Sequence, residues 1–353
     1  MTLHTRDSGI SALGEQVLNE GSLRVGPLTG LPALVRNLDC DPDPLFSSAG
    51  FNKVDFSDPD TQIPFVPASK LLAHCVTATG CDHLGLLLGE RAAPSSLGVA
   101  GFMLQTAPDV GTALRDLVRY LDLHDRGAVC TLVTSDQSTT LLGYGVYLPG
   151  VEATNQIYDL SMAVICKIMR SLCGTEWNPT GVLLSRPPPQ DLTPYRRFFQ
   201  APLRFDMEQS AIVFPTRWMD HPIASADPLL HHHLEKEATD IHTHQQTSLT
   251  VKLRRLLRKA LVTQSSAVTD IAKQLHMHER SLNRRLREEG TNYRQELENI
   301  RYEIARQLLA DSKMPLIKIA AALGYADSTA LSRAFKQWSG ITPSEWRTRH
   351  RLP

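Results

Sequence analysis

Residues 268–289 read VTDIAKQLHMHERSLNRRLREE and residues 316–337 read LIKIAAALGYADSTALSRAFKQ; the two are copies of one pattern. Ile271-Ala272-Lys273-Gln274-Leu275 matches Ile319-Ala320-Ala321-Ala322-Leu323 at an offset of 48, and Leu282-x-Arg284-x-Leu286 matches Leu331-x-Arg333-x-Phe335 at an offset of 49. Val268, Ile271, Ala272 and Leu275 recur at helical spacing, as do Leu316, Ile319, Ala320 and Leu323. Pro315 suits a first helical position. Each copy is a short apolar helix, a turn, and a second helix with a sparse apolar face. That is the helix-turn-helix arrangement, whose second helix enters the major groove of DNA.

The second helices carry the groups this task needs. On Glu279–Glu289, Leu282 and Leu286 point inward, leaving Arg280, Asn283, Arg284 and Arg287 on the opposite face. Arg suits guanine O6 and N7, and Asn suits adenine N6 and N7, each as a bidentate pair. On Asp327–Gln337, Leu331 and Phe335 point inward, leaving Ser328, Thr329, Ser332, Arg333 and Lys336 for DNA. Between the copies, Asn292–Ala310 reads as one helix of 19 residues, about 28 Å long at 1.5 Å per residue. That roughly matches the ~34 Å between successive major grooves on one DNA face.

Charge agrees with this. The 353 residues hold 37 basic and 37 acidic side chains, a net of zero. Residues 246–353 alone hold 20 Lys and Arg against 10 Asp and Glu, leaving 17 basic and 27 acidic side chains for the rest. The balance is thus +10 in one part and −10 in the other, a basic module for a polyanion joined to an acidic partner domain. Composition, 42% apolar and 21% charged, excludes disordered, collagen-like and coiled-coil chains. The N-terminus lacks the apolar run of a signal peptide, and no stretch reaches the ~18 apolar residues of a membrane span. The six cysteines lie in the acidic part without a C-x-x-C pair and read as reduced, mostly buried thiols in a cytoplasmic protein.

From about 250 to 350 the chain resembles the AraC/XylS family of transcription regulators. The resemblance rests on Arg301-x-x-x-Ala305-x-x-Leu308-Leu309, on Gly324-Tyr325-Ala326-Asp327-Ser328-x-x-Leu331-Ser332-Arg333-Ala334-Phe335-Lys336, and on Gly340-Ile341-Thr342-Pro343-Ser344-x-x-Arg347. It departs from the family at His276, where Gly is usual. The resemblance implies seven helices, with two helix-turn-helix units flanking one long helix, and favours an activator working with RNA polymerase.

The acidic part reads as α+β. Helices fill 31–125, with Thr112 a cap for the stripe Ala113, Leu114, Leu117, Val118 and Leu121. Ala128–Thr134 and Thr140–Leu148 form a hairpin, Asn155–Cys173 a helix and Gly181–Ser185 a strand. Leu203–Asp206 and Ala211–Phe214 suggest a second hairpin. Asp122, His124 and Asp125 read as an ordinary charged loop, and His231, His232, His233, His242 and His244 as part of a solvated linker helix. Arg196 and Arg197 read as solvated surface. An apolar interior of Val129, Leu132, Leu142, Tyr144, Val146, Ile157, Leu160 and Val164 suits a small-molecule pocket. This part also resembles the arabinose-binding-like N-terminal domain of one branch of the same family. Its residues include Leu84-Gly85-Leu86, Leu88-Gly89, Leu97-Gly98, Gly101-Phe102, Ala113-Leu114-Arg115 and Tyr195-x-x-Phe198-Phe199-x-Ala201-Pro202-Leu203-x-Phe205. That resemblance implies effector sensing and self-association as a homodimer, and carries over no effector-binding residue.

The expectation is a flexible tail at 1–25, an α+β effector and dimerisation domain at 26–225, a linker at 226–248 and an all-α DNA-binding domain at 249–353. Its helix-turn-helix units are 268–289 and 316–338. The partners are promoter DNA, RNA polymerase and an unidentified small-molecule effector, with no membrane. No G-x-S-x-G elbow, Walker loop, G-x-G-x-x-G or H-E-x-x-H occurs, so no catalytic residue, metal or cofactor is assigned. An effector-independent repressor or architectural DNA binder is the alternative, as is an enzyme domain fused to a DNA-binding one.

Overall fold

The computed structural model describes residues 21–135, 138–148, 150–244, 249–262, 268–275, 277–311 and 314–350. The chain divides into two compact units, with the main change after His244; Ser185–Pro187 and Phe205–Glu208 are grouped with the second. Among the described residues no single helix is long and apolar enough to cross a membrane.

The first unit is α+β. Strand β1 (Ser22–Arg24) pairs antiparallel with β2 (Gln62–Pro64), and helices α1 (Leu31–Asn37) and α2 (Pro42–Ser48) lie between them in the chain. Then follow α3 (Phe65–Thr79), α4 (Leu84–Arg91), α5 (Val99–Thr106) and α6 (Val110–Tyr120). Asp109, not Thr112, caps α6: its carboxylate accepts the Thr112 backbone N–H at 2.7 Å. A carboxylate answers an orphan donor of the first turn more strongly than a hydroxyl would.

The hairpin of β3 (Ala128–Ser135) and β4 (Thr139–Val146) opens a second, five-stranded sheet. Helix α7 (Thr154–Cys173) packs on it with its apolar stripe buried. Then come β5 (Gly181–Leu183), α8 (Thr193–Phe199), β6 (Leu203–Arg204) and β7 (Ser210–Pro215). The expected second hairpin is not formed. β7 pairs with β4 and β5, while β6 pairs in parallel with β5 on its other side. A parallel pair needs a crossover, and α8 supplies it.

Of the stretch expected as a tail, residues 1–20 lie outside the described residues; Ser22–Arg24 form β1 and Val25 is fully buried. Of the stretch expected as a linker, Pro228–His244 forms α9, a helix of the first unit. Ala238, Leu234 and Ile241 of α9 pack on Met103, Tyr120 and Leu123. His231 spends its ring on Asp116 (3.2 Å) and Thr106 (3.3 Å).

The second unit is all-α: α10 (Leu249–Val262), α11 (Val268–Gln274), α12 (Glu279–Glu288), α13 (Tyr293–Asp311), α14 (Leu316–Ala322), α15 (Ser328–Ser339) and α16 (Pro343–His350). It has two cores. Leu253, Leu257, Ile271, Leu282, Leu286 and Ile300 form one; Ala305, Leu309, Ile319, Leu323, Leu331 and Phe335 form the other. Helix α13 feeds both, and its Ile304 packs against each.

Candidate nucleic-acid interface and ligand cavity

The two helix-turn-helix units close their turns with the same hydrogen bond. Met277 N–H donates to the Ala272 carbonyl at 2.9 Å, and Tyr325 N–H to the Ala320 carbonyl at 2.9 Å. This six-to-one bond ends a helix when the residue before its donor turns left-handed. In the second unit that residue is Gly324, with φ +72°; its counterpart His276 lies outside the described residues.

After the turn, His278 Nδ1 accepts the Arg280 N–H at 3.3 Å, and Asp327 accepts the Ala330 N–H at 2.7 Å, so each second helix starts with a side-chain cap. Leu282 and Leu286, like Leu331 and Phe335, are fully buried. Arg280, Arg284 and Arg287 are exposed on the far side of α12, as are Thr329, Arg333 and Lys336 at matching positions of α15. Gln337, one turn beyond Arg333, is exposed with them. Asn283, Ser328 and Ser332 are half-buried at the flanks. The Asn283 amide donates to the Glu279 carbonyl at 3.2 Å, and the Ser332 hydroxyl to the Ser328 carbonyl at 2.7 Å.

Other basic residues of this unit hold it together. Arg254 pairs with the buried Glu296 at 2.6 Å, and Glu296 also accepts the Thr291 hydroxyl at 2.6 Å. Arg258 pairs with Glu303 at 2.8 Å. Arg301 lies over Tyr325, and Arg306 over Tyr302 and Trp346. These pairs fix α10, the second helix-turn-helix unit and α16 to α13.

The first unit holds a cavity of about 70 Å³. Leu28, Phe65, Leu72, Leu117, Ile157, Leu160, Val164 and Ile168 give it an apolar wall, with Tyr144, Ser161, His124 and Asp125 among the few polar groups. Tyr144, Ile157, Leu160 and Val164 are where the sequence pattern puts them. Val129, Leu142 and Val146 are buried beside the cavity without lining it, and Leu132 is half-buried.

Asp122, His124 and Asp125 are not an exposed loop. All three are buried, because β1 covers them: Arg24 N–H donates to the His124 carbonyl at 2.8 Å and Arg126 N–H to the Ser22 carbonyl at 2.8 Å. Asp125 accepts the Tyr144 hydroxyl at 2.5 Å and the Gly127 N–H at 2.7 Å. Burial pushes the Asp125 carboxyl up to about 6, against the pull of these donors. Burial, aided by the Arg24 charge, pushes the His124 imidazole down to about 3, so it is neutral. Its Nδ1 is buried with no hydrogen-bond partner among the described residues. All six cysteines are free; burial raises Cys75 and Cys173 to about 12 and Cys166 to about 11, which suppresses their thiolates.

A model of the arabinose-binding domain found at the N-terminus of AraC transcription regulators matches residues 40–223, and a helix-turn-helix domain model matches residues 271–349. The chain belongs to the AraC family of transcription regulators. It is 28% identical over 305 residues to the ornithine utilization regulator of Pseudomonas aeruginosa, covering 86% of this chain and 89% of that one. It is also 28% identical over 329 residues to the transcriptional regulator VirS of Mycobacterium tuberculosis, covering 93% and 97%. Among solved structures, the regulator CdpR from Pseudomonas aeruginosa is 24% identical, with a TM-score of 0.43 over 89% of this chain and 97% of that one.

The residues that carry the AraC resemblance have visible work here. Thr342 and Glu345 form a reciprocal capping box at the start of α16 (Thr342 N–H to carboxylate 2.7 Å, Glu345 N–H to hydroxyl 3.2 Å), which also holds the Glu345 carboxyl below its usual range. Arg347 donates to the Met314 carbonyl at 2.5 Å and to the Leu309 carbonyl of α13 at 3.4 Å, tying α16 to the linking helix and to the segment that follows it. In the first unit, Gly85 and Gly89 let α4 lie against α7: a Cβ at either would run into the Gln156 or Leu160 backbone. The chain is a DNA-binding transcription regulator with a ligand-binding type of N-terminal domain.

Proposed function

We infer that this AraC-family protein is a cytoplasmic transcriptional activator that reads two adjacent major grooves with one chain. The observation that carries the reading is the pair of capped helices, each with an exposed basic face, fixed to one 19-residue helix. Arg280, Arg284 and Arg287 contact the first groove; Thr329, Arg333 and Lys336 contact the second. Asn283, Ser328 and Ser332 reach base edges from the flanks when their local bonds yield to DNA. RNA polymerase is the further partner, and the first unit supports a homodimer, both as the family resemblance implies.

The first unit acts as the sensor and has no catalytic role. Its cavity, apolar with a few polar anchors, is of the kind small molecules occupy. A ligand there shifts activity only by binding one state of the protein better than the other. The test is to delete residues 1–244 and measure expression from the cognate promoter with and without the inducing growth substrate. Promoter binding should persist and the response should vanish. A truncated protein that still responds would refute the sensor role.

A further inference from the structure

Resting on the reading of the first unit as a sensor, we propose that its cavity takes an uncharged, mostly apolar molecule bearing one hydroxyl, which bonds to Nδ1 of His124. The wall residues decide the class. A buried polar atom without a partner is uncommon in a native protein and costs stability unless something completes it. His124 lines the cavity, is 8% exposed, and has such an atom. A hydroxyl both donates and accepts, so it completes either tautomer of a neutral imidazole.

The same wall argues against charged ligands. Asp125 lines the cavity at 4% exposure and is the acidic member of that wall, with no Lys or Arg among the lining residues. A carboxylate ligand would sit beside its charge with no cation lining the cavity; Arg24, whose charge reaches His124, is already paired with Asp60. An ammonium ligand would find Asp125 already holding the Tyr144 hydroxyl and the Gly127 N–H, and would lose its hydration in an apolar chamber. Size follows from the volume. The cavity of about 70 Å³ admits only a small molecule.

Four probes of nearly one size separate the cases: 1-pentanol, pentane, pentylamine and pentanoate, titrated into the full chain at pH 8 and followed by calorimetry and thermal shift. 1-Pentanol should bind tightest, about tenfold better than pentane, which is the worth of one hydrogen bond to a buried unpaired atom. Pentanoate and pentylamine should bind more weakly than either. In His124→Leu, pentane binding should persist while the advantage of 1-pentanol disappears; where that variant fails to fold, the four-probe ranking on the natural chain decides. Pentanoate or pentylamine binding as tightly as 1-pentanol would overturn the ligand class and leave the sensor role standing. A 1-pentanol preference unchanged in His124→Leu would overturn the role of His124. No binding by any probe would overturn the cavity as a ligand site, and deletion of residues 1–244 then judges the sensor role separately.

Discussion

Glu296→Ala should loosen α10 from the linking helix α13. Glu296 is 2% exposed on α13; it takes Arg254 Nε from α10 at 2.6 Å and the Thr291 hydroxyl at 2.6 Å. Removing it takes the carboxylate away from a guanidinium and a hydroxyl. Breaking a buried ion pair costs ~3–5 kcal/mol. Arg254, with a side chain 32% exposed, can turn partly to water, so the expected loss is at the lower end, about 3 kcal/mol. For a domain of roughly 100 residues, ~4–8 °C per kcal/mol gives a fall in melting temperature of about 12–24 °C. The assay is thermal unfolding of residues 245–353 followed by far-ultraviolet circular dichroism, with Arg254→Ala and the double variant completing a cycle. The two losses should not add, since each single change already breaks the pair. A fall under about 4 °C, or strictly additive losses, would refute the reasoning.

Other outcomes follow from the same geometry. Arg284→Ala and Arg333→Ala should each weaken specific DNA binding by about 1–3 kcal/mol in a titration against the operator, while Asn283→Ala should cost less, because its amide already bonds to Glu279. Affinity should fall linearly with salt on logarithmic axes, at about −0.9 per phosphate neutralised, and each lysine or arginine removed from a phosphate should lower the slope by about one. His124, held neutral down to about pH 3 in the fold, binds its proton only in the unfolded chain between there and its ordinary range. Protonation of the unfolded state therefore destabilises the fold as pH falls, and the stability of the natural chain relative to His124→Leu should rise as pH climbs from about 3 to about 6.5. Asp125 works in the opposite sense: its raised value makes its contribution fall as pH rises from about 4 to about 6, in both proteins alike. A relative stability that is flat with pH in paired denaturant titrations would contradict the buried, neutral imidazole.

The second unit was legible in the sequence because its information is local. Ile271 and Leu275, or Leu331 and Phe335, sit at helical spacing, and the repeat shows the same device twice. The exposed arginines follow from the buried leucines by rotation alone. The first unit was legible only in its local pieces. The β3–β4 hairpin and α7 stand in the pattern, but β6 and β7 are separated by a strand that arrives from a crossover, and no neighbour rule shows that. The cavity was hidden for the same reason. Charged residues after a helix, such as Asp122 and Asp125, ordinarily face water; here the early strand β1 folds over them, and its three residues carry little periodicity of their own.

Footprinting of the full-length protein on its operator shows whether one chain reads two grooves. Two protected segments are expected about one helical turn apart, ~10 base pairs centre to centre, on one face of the DNA. Arg284→Ala should weaken one segment and Arg333→Ala the other. A single protected segment, untouched by Arg333→Ala, would contradict the two-groove reading.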